Sequence, residues 1–312
     1  MLISVVIPCY NSEKTIAKVV EMTLLQFQSH EDYDCEFILV NDGSSDGTYR
    51  EIYRLGQKYP FVKGVDLYRN FGQHNALLAA LHFATGDLVM GMDDDMQTHP
   101  SQIFKLVDKI KEEYDLVYGH YDKSENSTLK NLSSRINEIS SRILLGRPKN
   151  ISSSNFWIIT KEVALETVKY DSYNPYIDGI FYRTTHNIAN VEIQHYKREI
   201  GSSGYTFRKL LRLWLAYWNY SVVPLRISSV LGFLVAIIGF CATIVLIINK
   251  ILNPTMVLGW SSLACLLCLF FGITLMLIGV LGEYIGKIIL TVNHTPQFIV
   301  RSAINIHSDH EE

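Results

Sequence analysis

The chain has 312 residues, of which 48% are hydrophobic and only 19% charged. That excludes a disordered chain, which needs low hydrophobicity and high net charge, and it departs from ordinary soluble domains, where about a quarter of residues are charged. A formal net charge of −3 offers no global basic field, so nucleic acid is not an expected partner.

Residues 2–8 form a continuous apolar, β-branched run, which predicts a strand buried on both faces. A helix is predicted over 12–27, a strand over 36–41, a helix over 48–58 and a third strand over 62–68. An Ala/Leu-rich helix follows over 74–85, then a fourth strand over 87–92. Pro100 sits where the first turn of the next helix is expected, and 116–120 is a fifth strand. Repeated strand–helix units predict a parallel sheet with helices on both faces. Residues 128–145 predict another helix, and 150–196 mix short strands and helices.

Residues 206–220 place Arg208, Lys209 and Arg212 beside Phe207, Leu210, Trp214 and Trp218, the pattern of an amphipathic helix at a membrane surface. Two runs without formal charge follow, 227–248 and 257–282. Each is long enough to cross a hydrocarbon core, so they predict a transmembrane helical hairpin. Six basic residues lie between Lys197 and Arg226, and Lys287 and Arg301 come after the runs, against Lys250 alone in the connection. Positive-inside asymmetry then puts both termini in the cytoplasm of a multi-pass membrane protein. The first residues lack the pattern of a signal peptide. Five scattered cysteines imply no disulfide framework. The expected organisation is an α/β domain over 1–205, an interfacial helix and linker over 206–226, the hairpin over 227–282 and a cytoplasmic tail over 283–312.

Polar residues gather at the carboxyl ends of the predicted strands, where parallel α/β sheets bind ligands. They read Pro8-Cys9-Tyr10-Asn11, then Asn41-Asp42-Gly43-Ser44, Arg69-Asn70-Phe71-Gly72-Gln73-His74 and Asp93-Asp94-Asp95-Met96-Gln97. Three consecutive carboxylates repel one another, and a divalent cation offsets that. Extended geometry puts Asp93 and Asp95 on one face and Asp94 on the other. One or two carboxylates together with phosphate oxygens suit Mg2+ or Mn2+. An acidic surface turn is the alternative reading of the same triplet. No Walker loop and no Gly-x-Gly-x-x-Gly occurs, so ATPase and dinucleotide readings lose their support.

The segments 4–11, 40–48 and 93–97 resemble family 2 glycosyltransferases of GT-A fold. Arg69–His74, the stretch 198–205, Pro224-Leu225-Arg226 and the stretch 281–286 resemble more narrowly the polyprenyl-phosphate glycosyltransferases. These include dolichol-phosphate mannose synthase-like enzymes and bacterial undecaprenyl-phosphate sugar transferases. The resemblance implies an α/β catalytic domain with a Rossmann-like, mostly parallel sheet, followed by the interfacial helix and the hairpin. It implies that Pro8, Tyr10, Asn11, Glu13, Asp42 and Ser44 bind the nucleotide, with Asp93 and Asp94 opening the Asp-x-Asp motif. It makes Asp95 the metal-binding end of that motif, with Asp93 as second ligand, and puts Gln97 near the metal and the sugar. Arg198, Ser202 and Ser203 match a loop over the lipid phosphate. A nucleotide-sugar donor, a polyprenyl phosphate acceptor, membrane lipid and a homo-oligomer are the implied partners.

Two departures stand out. Relatives often carry an acidic residue where this chain has Ser152-Ser153-Ser154-Asn155, which leaves Asp178 as the nearest candidate base. Gly204 stands where many relatives have Lys. The expected activity is inverting transfer of a sugar, from a UDP-sugar, to a polyprenyl phosphate for cell-envelope glycan modification. The second reading, prompted by the Ser and Asn replacements, is a catalytically silent, membrane-tethered nucleotide-binding scaffold.

Overall fold

Four parallel strands make the centre of the sheet: β1 (Leu2–Cys9), β2 (Asp34–Asn41), β3 (Val62–Leu67) and β4 (Leu88–Gly91). Residues on alternate sides of β1 enter different cores, as the period of two requires. Val5 and Ile7 pack with Phe37, Leu39 and Ile52 on one face, while Val6 packs with Ile38, Val40 and Val65 on the other. The computed structural model describes residues 1–120, 141–173, 175–194, 223–252 and 259–306.

Helices α1 (Ile16–Gln28), α2 (Thr48–Lys58) and α4 (Ile103–Ile110) cover the first face. Helix α3 (Gln73–Phe83), with α5 (Lys161–Val168) and α6 (Ile177–Thr184), covers the second. Every residue of α3 from Asn75 to Leu81 is buried, because the helix lies between the sheet and the α5–α6 pair. That explains why its sequence is apolar all round rather than striped. A 3-10 turn, Pro100–Gln102, leads into α4 at the expected proline.

The sheet has eight strands in the order β7-β5-β6-β4-β1-β2-β3-β8, with β5 (Leu116–His120), β6 (Trp157–Thr160), β7 (Ile188–Glu192) and β8 (Val300–Ile304). It is mostly parallel, as expected, but two insertions break the simple order. β6 runs antiparallel between β4 and β5, so β5 does not neighbour β4. Gly91 on β4 pairs with Trp157, and a Cβ at Gly91 would come within 2.3 Å of the indole ring. The small residue is what lets the large one in. The second insertion is β8. Within the stretch expected as a tail, Val300–Ile304 add a strand antiparallel to β3 at the far edge.

Between these parts lie α7 (Val223–Leu252) and α8 (Trp260–Val292). Gly232 of α7 faces Leu277 of α8, where a Cβ would stand 3.8 Å away. Among the described residues one stretch, Phe270–Val292, is long and apolar enough to cross a membrane, and none of it is buried. It extends past the expected limit at residue 282, across Glu283 and Lys287, which pair at 3.7 Å. The predicted interfacial helix over 206–220 and most of the helix predicted over 128–145 lie outside the described residues.

Candidate active site

A cavity of about 510 Å3 opens beyond the carboxyl ends of β1, β2, β3 and β4. That volume lies in the range of small-ligand sites. Its lining includes Pro8, Tyr10, Asp42, Asp93, Asp94 and Asp95, brought together from three strand ends. Cys9, Asn70, Gly72, Gln73 and Asn155 line it as well.

The loop after β2 is built around a left-handed residue. Gly43 has φ of +61°, and its α-carbon lies against the backbone of Arg69 and Asn70. Asp42 then accepts the amides of Phe71 at 2.7 Å and Gly72 at 3.0 Å. Its carboxylate thus ties the loop after β3 to the loop after β2. Burial pushes the Asp42 carboxyl up, and these two N–H donors with nearby Arg69 oppose the shift.

Asn11, Glu13 and Ser44 do not line the cavity; they frame it. The Asn11 amide donates to Ser44 Oγ at 3.0 Å, and the amide of Ser45 donates to Asn11 Oδ1 at 3.0 Å. Glu13 accepts the amide of Gly47 at 3.2 Å and pairs with Arg50 at 2.9 Å. Tyr10, which lines the cavity, stays half exposed, 54% accessible.

The acidic run is a turn, not an extension of β4. The strand ends at Gly91, and Met96 has φ of +60°. Asp95 Oδ1 accepts the amide of Gln97 at 3.0 Å, which closes that turn. The Gln97 side chain is not among the cavity-lining groups. Asp94 turns toward the β1 loop, where it accepts the Ser12 hydroxyl and, at 3.4 Å, the Tyr10 amide. Burial raises its pKa, and neighbouring Asp95 raises it further. Asp93 accepts amide groups on both oxygens, from Gln73 Nε2 at 3.1 Å and Asn155 Nδ2 at 2.8 Å.

The donor set suits a hard cation. Asp93, Asp94 and Asp95 present oxygen ligands, while burial holds the Cys9 thiol well above its ordinary pKa and so uncharged. Among the described residues no group of three His, Cys, Asp or Glu side chains could hold a metal ion. Mg2+ and Mn2+ keep few protein ligands and take the rest from phosphate and water.

Asp178 is placed elsewhere. It is not among the cavity-lining residues, and it accepts the hydroxyl of Tyr118 at 2.7 Å. Burial pushes its carboxyl up to about 6. The folded chain therefore holds this proton to about pH 6, the unfolded chain only to about pH 4. Stability falls as pH rises through that window and stays lower above it. Asp178→Asn keeps an oxygen for Tyr118 and removes the charge. The variant is expected to raise the unfolding temperature at pH 8 and to change it little at pH 4.5. An equal gain at both pH values would overturn the assignment.

His74 is held by packing. Its Nδ1 faces the Ile177 amide at 3.4 Å, its ring packs 4.5 Å from that of Tyr176, and burial lowers its pKa to about 4. Arg198, Ser202, Ser203 and Gly204 lie outside the described residues. Asn155 is the residue that sequence reasoning missed. It precedes β6, and because β6 is antiparallel its start lies beside the carboxyl end of β4.

An acidic turn at the central strand ends, facing a cavity walled by the neighbouring loops, is the architecture of a GT-A domain. The description of glycosyl transferase family 2 matches residues 4–166. The chain belongs to that family and is a glycosyltransferase. It is 29% identical over 310 residues to an uncharacterized glycosyltransferase, YkcC, of Bacillus subtilis, covering 98% of this chain and 95% of that one. It is 31% identical to the undecaprenyl-phosphate 4-deoxy-4-formamido-L-arabinose transferase of Serratia proteamaculans, covering 99% and 95%. Among solved structures, mannosyl-3-phosphoglycerate synthase from Rubrobacter xylanophilus shares the fold, with a TM-score of 0.51 and 16% identity over 72% of this chain and 74% of that one.

Proposed function

We propose that this glycosyltransferase moves a sugar, with inversion, from a UDP-sugar to a polyprenyl phosphate such as undecaprenyl phosphate, in cell-envelope glycan modification. The observation that carries the reading is the aspartate-lined cavity, in a chain that matches undecaprenyl-phosphate sugar transferases over nearly its whole length. Tyr10, Asp42 and the loops framed by Asn11, Glu13 and Ser44 hold the nucleoside. Asp95, with Asp93, holds Mg2+ or Mn2+, and Gln97 supports the turn that presents them. The bound cation would spread the charge of the departing diphosphate.

An oxygen of the acceptor phosphate forms the new bond to the anomeric carbon as the bond to the diphosphate breaks, and UDP leaves. A phosphate monoester has a second pKa of about 6, so the acceptor is already largely ionised at pH 7 and needs no strong base. That is consistent with the segment 152–155 holding no acidic residue where relatives often carry one. Arg198, Ser202 and Ser203 are assigned to the lipid phosphate, since guanidinium binds phosphate in a bidentate fashion. Helices α7 and α8 act as a membrane hairpin, with the catalytic domain and both termini cytoplasmic.

The test is a transfer assay on the full chain in detergent or nanodiscs. Radiolabelled UDP-sugars are supplied with Mg2+ and undecaprenyl phosphate. Label is expected in the lipid fraction, to vanish with chelator and to return with Mg2+ or Mn2+. UDP binding with no lipid label from any donor would favour the silent scaffold instead.

A further inference from the structure

We infer that the C-terminal strand β8 is part of the donor site, and that Arg301 is a positioning residue for nucleotide-sugar binding. The inference rests on the donor reading above and adds to it a residue more than 200 positions in sequence from the loops after β1, β2, β3 and β4.

Arg301 lies on β8 and makes two bonds to the strand beside it. Its guanidinium pairs with Asp66 at 3.4 Å and donates to the carbonyl of Tyr68 at 2.7 Å. Tyr68 immediately precedes the loop 69–73 that walls the cavity. Asp66 is 3% exposed, and its other oxygen accepts Asn41 Nδ2 at 2.6 Å. Asn41, also 3% exposed, turns its Oδ1 to the amide of Ser44 at 3.3 Å. Ser44 Oγ in turn accepts the amide of Asn11 at 3.0 Å. A chain of bonds thus runs from the edge strand through a buried carboxylate to two loops of the cavity.

The charge on Asp66 gives the chain its direction. A carboxylate accepts only, so Asn41 must present its NH2 to Asp66 and its oxygen to Ser44. Arg301, itself half exposed, compensates that charge from the edge of the sheet, while the Asp66 carboxylate is buried. Without it the buried carboxylate loses its partner and shifts toward solvent. That shift weakens the Asn41 contact and releases the Ser44 amide.

The edge strand is delivered to one place. Between α8 and β8, Gln297 Nε2 donates to the carbonyls of Tyr170 at 2.7 Å and Ser172 at 2.8 Å. Past Arg301, Ser302 Oγ lies 2.7 Å from the Tyr49 hydroxyl, and Asn305 Nδ2 donates to the carbonyls of Gly56 and Val62 at 2.8 and 2.9 Å. Asn305 therefore anchors the same segment without touching the cavity loops, which makes it the natural control.

The experiment compares Arg301→Ala, Arg301→Lys and Asn305→Ala in the full chain. Arg301→Ala is expected to raise the donor KM about tenfold, the effect of one charge-assisted hydrogen bond, and to leave the KM for polyprenyl phosphate unchanged. Arg301→Lys should recover part of the loss. Asn305→Ala should lower the unfolding temperature without a selective donor effect. Equal rises in both KM values, or a donor effect from Asn305→Ala as large as that from Arg301→Ala, would overturn the inference. Hydrogen exchange without substrate separates it from the donor reading. Arg301→Ala should speed exchange at Ser44 and Ser45 whatever the ligand proves to be, and unchanged exchange there would overturn the inference even if transfer is confirmed.

Discussion

Asp95→Ala is expected to lower glycosyl transfer by about a thousandfold, the scale seen when a group that stabilises developing negative charge is removed. Its effect on folding should be small. Its bond to the Gln97 amide at 3.0 Å closes the turn, and losing such a bond costs about 1 kcal/mol. Asp95→Asn separates charge from shape, because it keeps an oxygen for Gln97 and gives up the negative charge. It should therefore fold like the parent and transfer as poorly as the alanine variant. Initial rates at saturating Mg2+, with thermal unfolding in parallel, check both points. An asparagine variant with more than about a tenth of parental activity would remove the cation-binding role from Asp95.

Gly43→Ala should be the most damaging single methyl group in the catalytic domain. An L-residue in the left-handed region costs about 1–2 kcal/mol, and Gly43 has φ of +61°. The added Cβ would also stand 2.4 Å from Arg69 C and Asn70 N, both backbone atoms that no side-chain rotation can move. The loops after β2 and β3 must separate, which strains the Asp42 bonds to Phe71 and Gly72. Total destabilisation of about 3 kcal/mol or more follows, together with loss of donor binding. Gly72→Ala is the comparison. Gly72 also has positive φ, at +95°, but a Cβ there meets nothing within 4 Å. It should show the backbone strain alone. Equal effects at the two glycines, in unfolding temperature and in nucleotide affinity, would rule out the clash.

Much of the site was legible because its signals are local. The helix over Thr48–Lys58 and the strand over Leu116–His120 have the predicted limits. Their boundaries are marked by turn residues within a few positions. The polar strand ends were legible for the same reason, and six of the predicted residues line one cavity. The face assignment within the acidic run failed in its premise. It assumed extended backbone, whereas Asp95 caps a turn that puts Met96 in the left-handed region. Asp94 still turns away from its neighbours, held by Ser12 and Tyr10.

Other features had no local signature. The segment 152–155 reads as small and polar, and nothing within it says that the following strand enters the sheet in reverse. Only the pairing of β6 with β4 brings Asn155 to Asp93. Asp178 reads as a plausible acid because it is a lone carboxylate near the expected pocket, yet the packing of α6 gives it to Tyr118.

By itself the sequence determined the α/β class, the polar strand ends that line the cavity and the long apolar helices, because each depends on periodicity or punctuation among neighbouring residues. Tertiary structure decided the strand order, the arrival of Asn155, the displacement of Asp178 from the cavity and the return of the C-terminus as β8. Those depend on which backbone edges meet. Edge pairing is set by hydrogen bonds between segments far apart in the chain, and no short window of sequence records its partner.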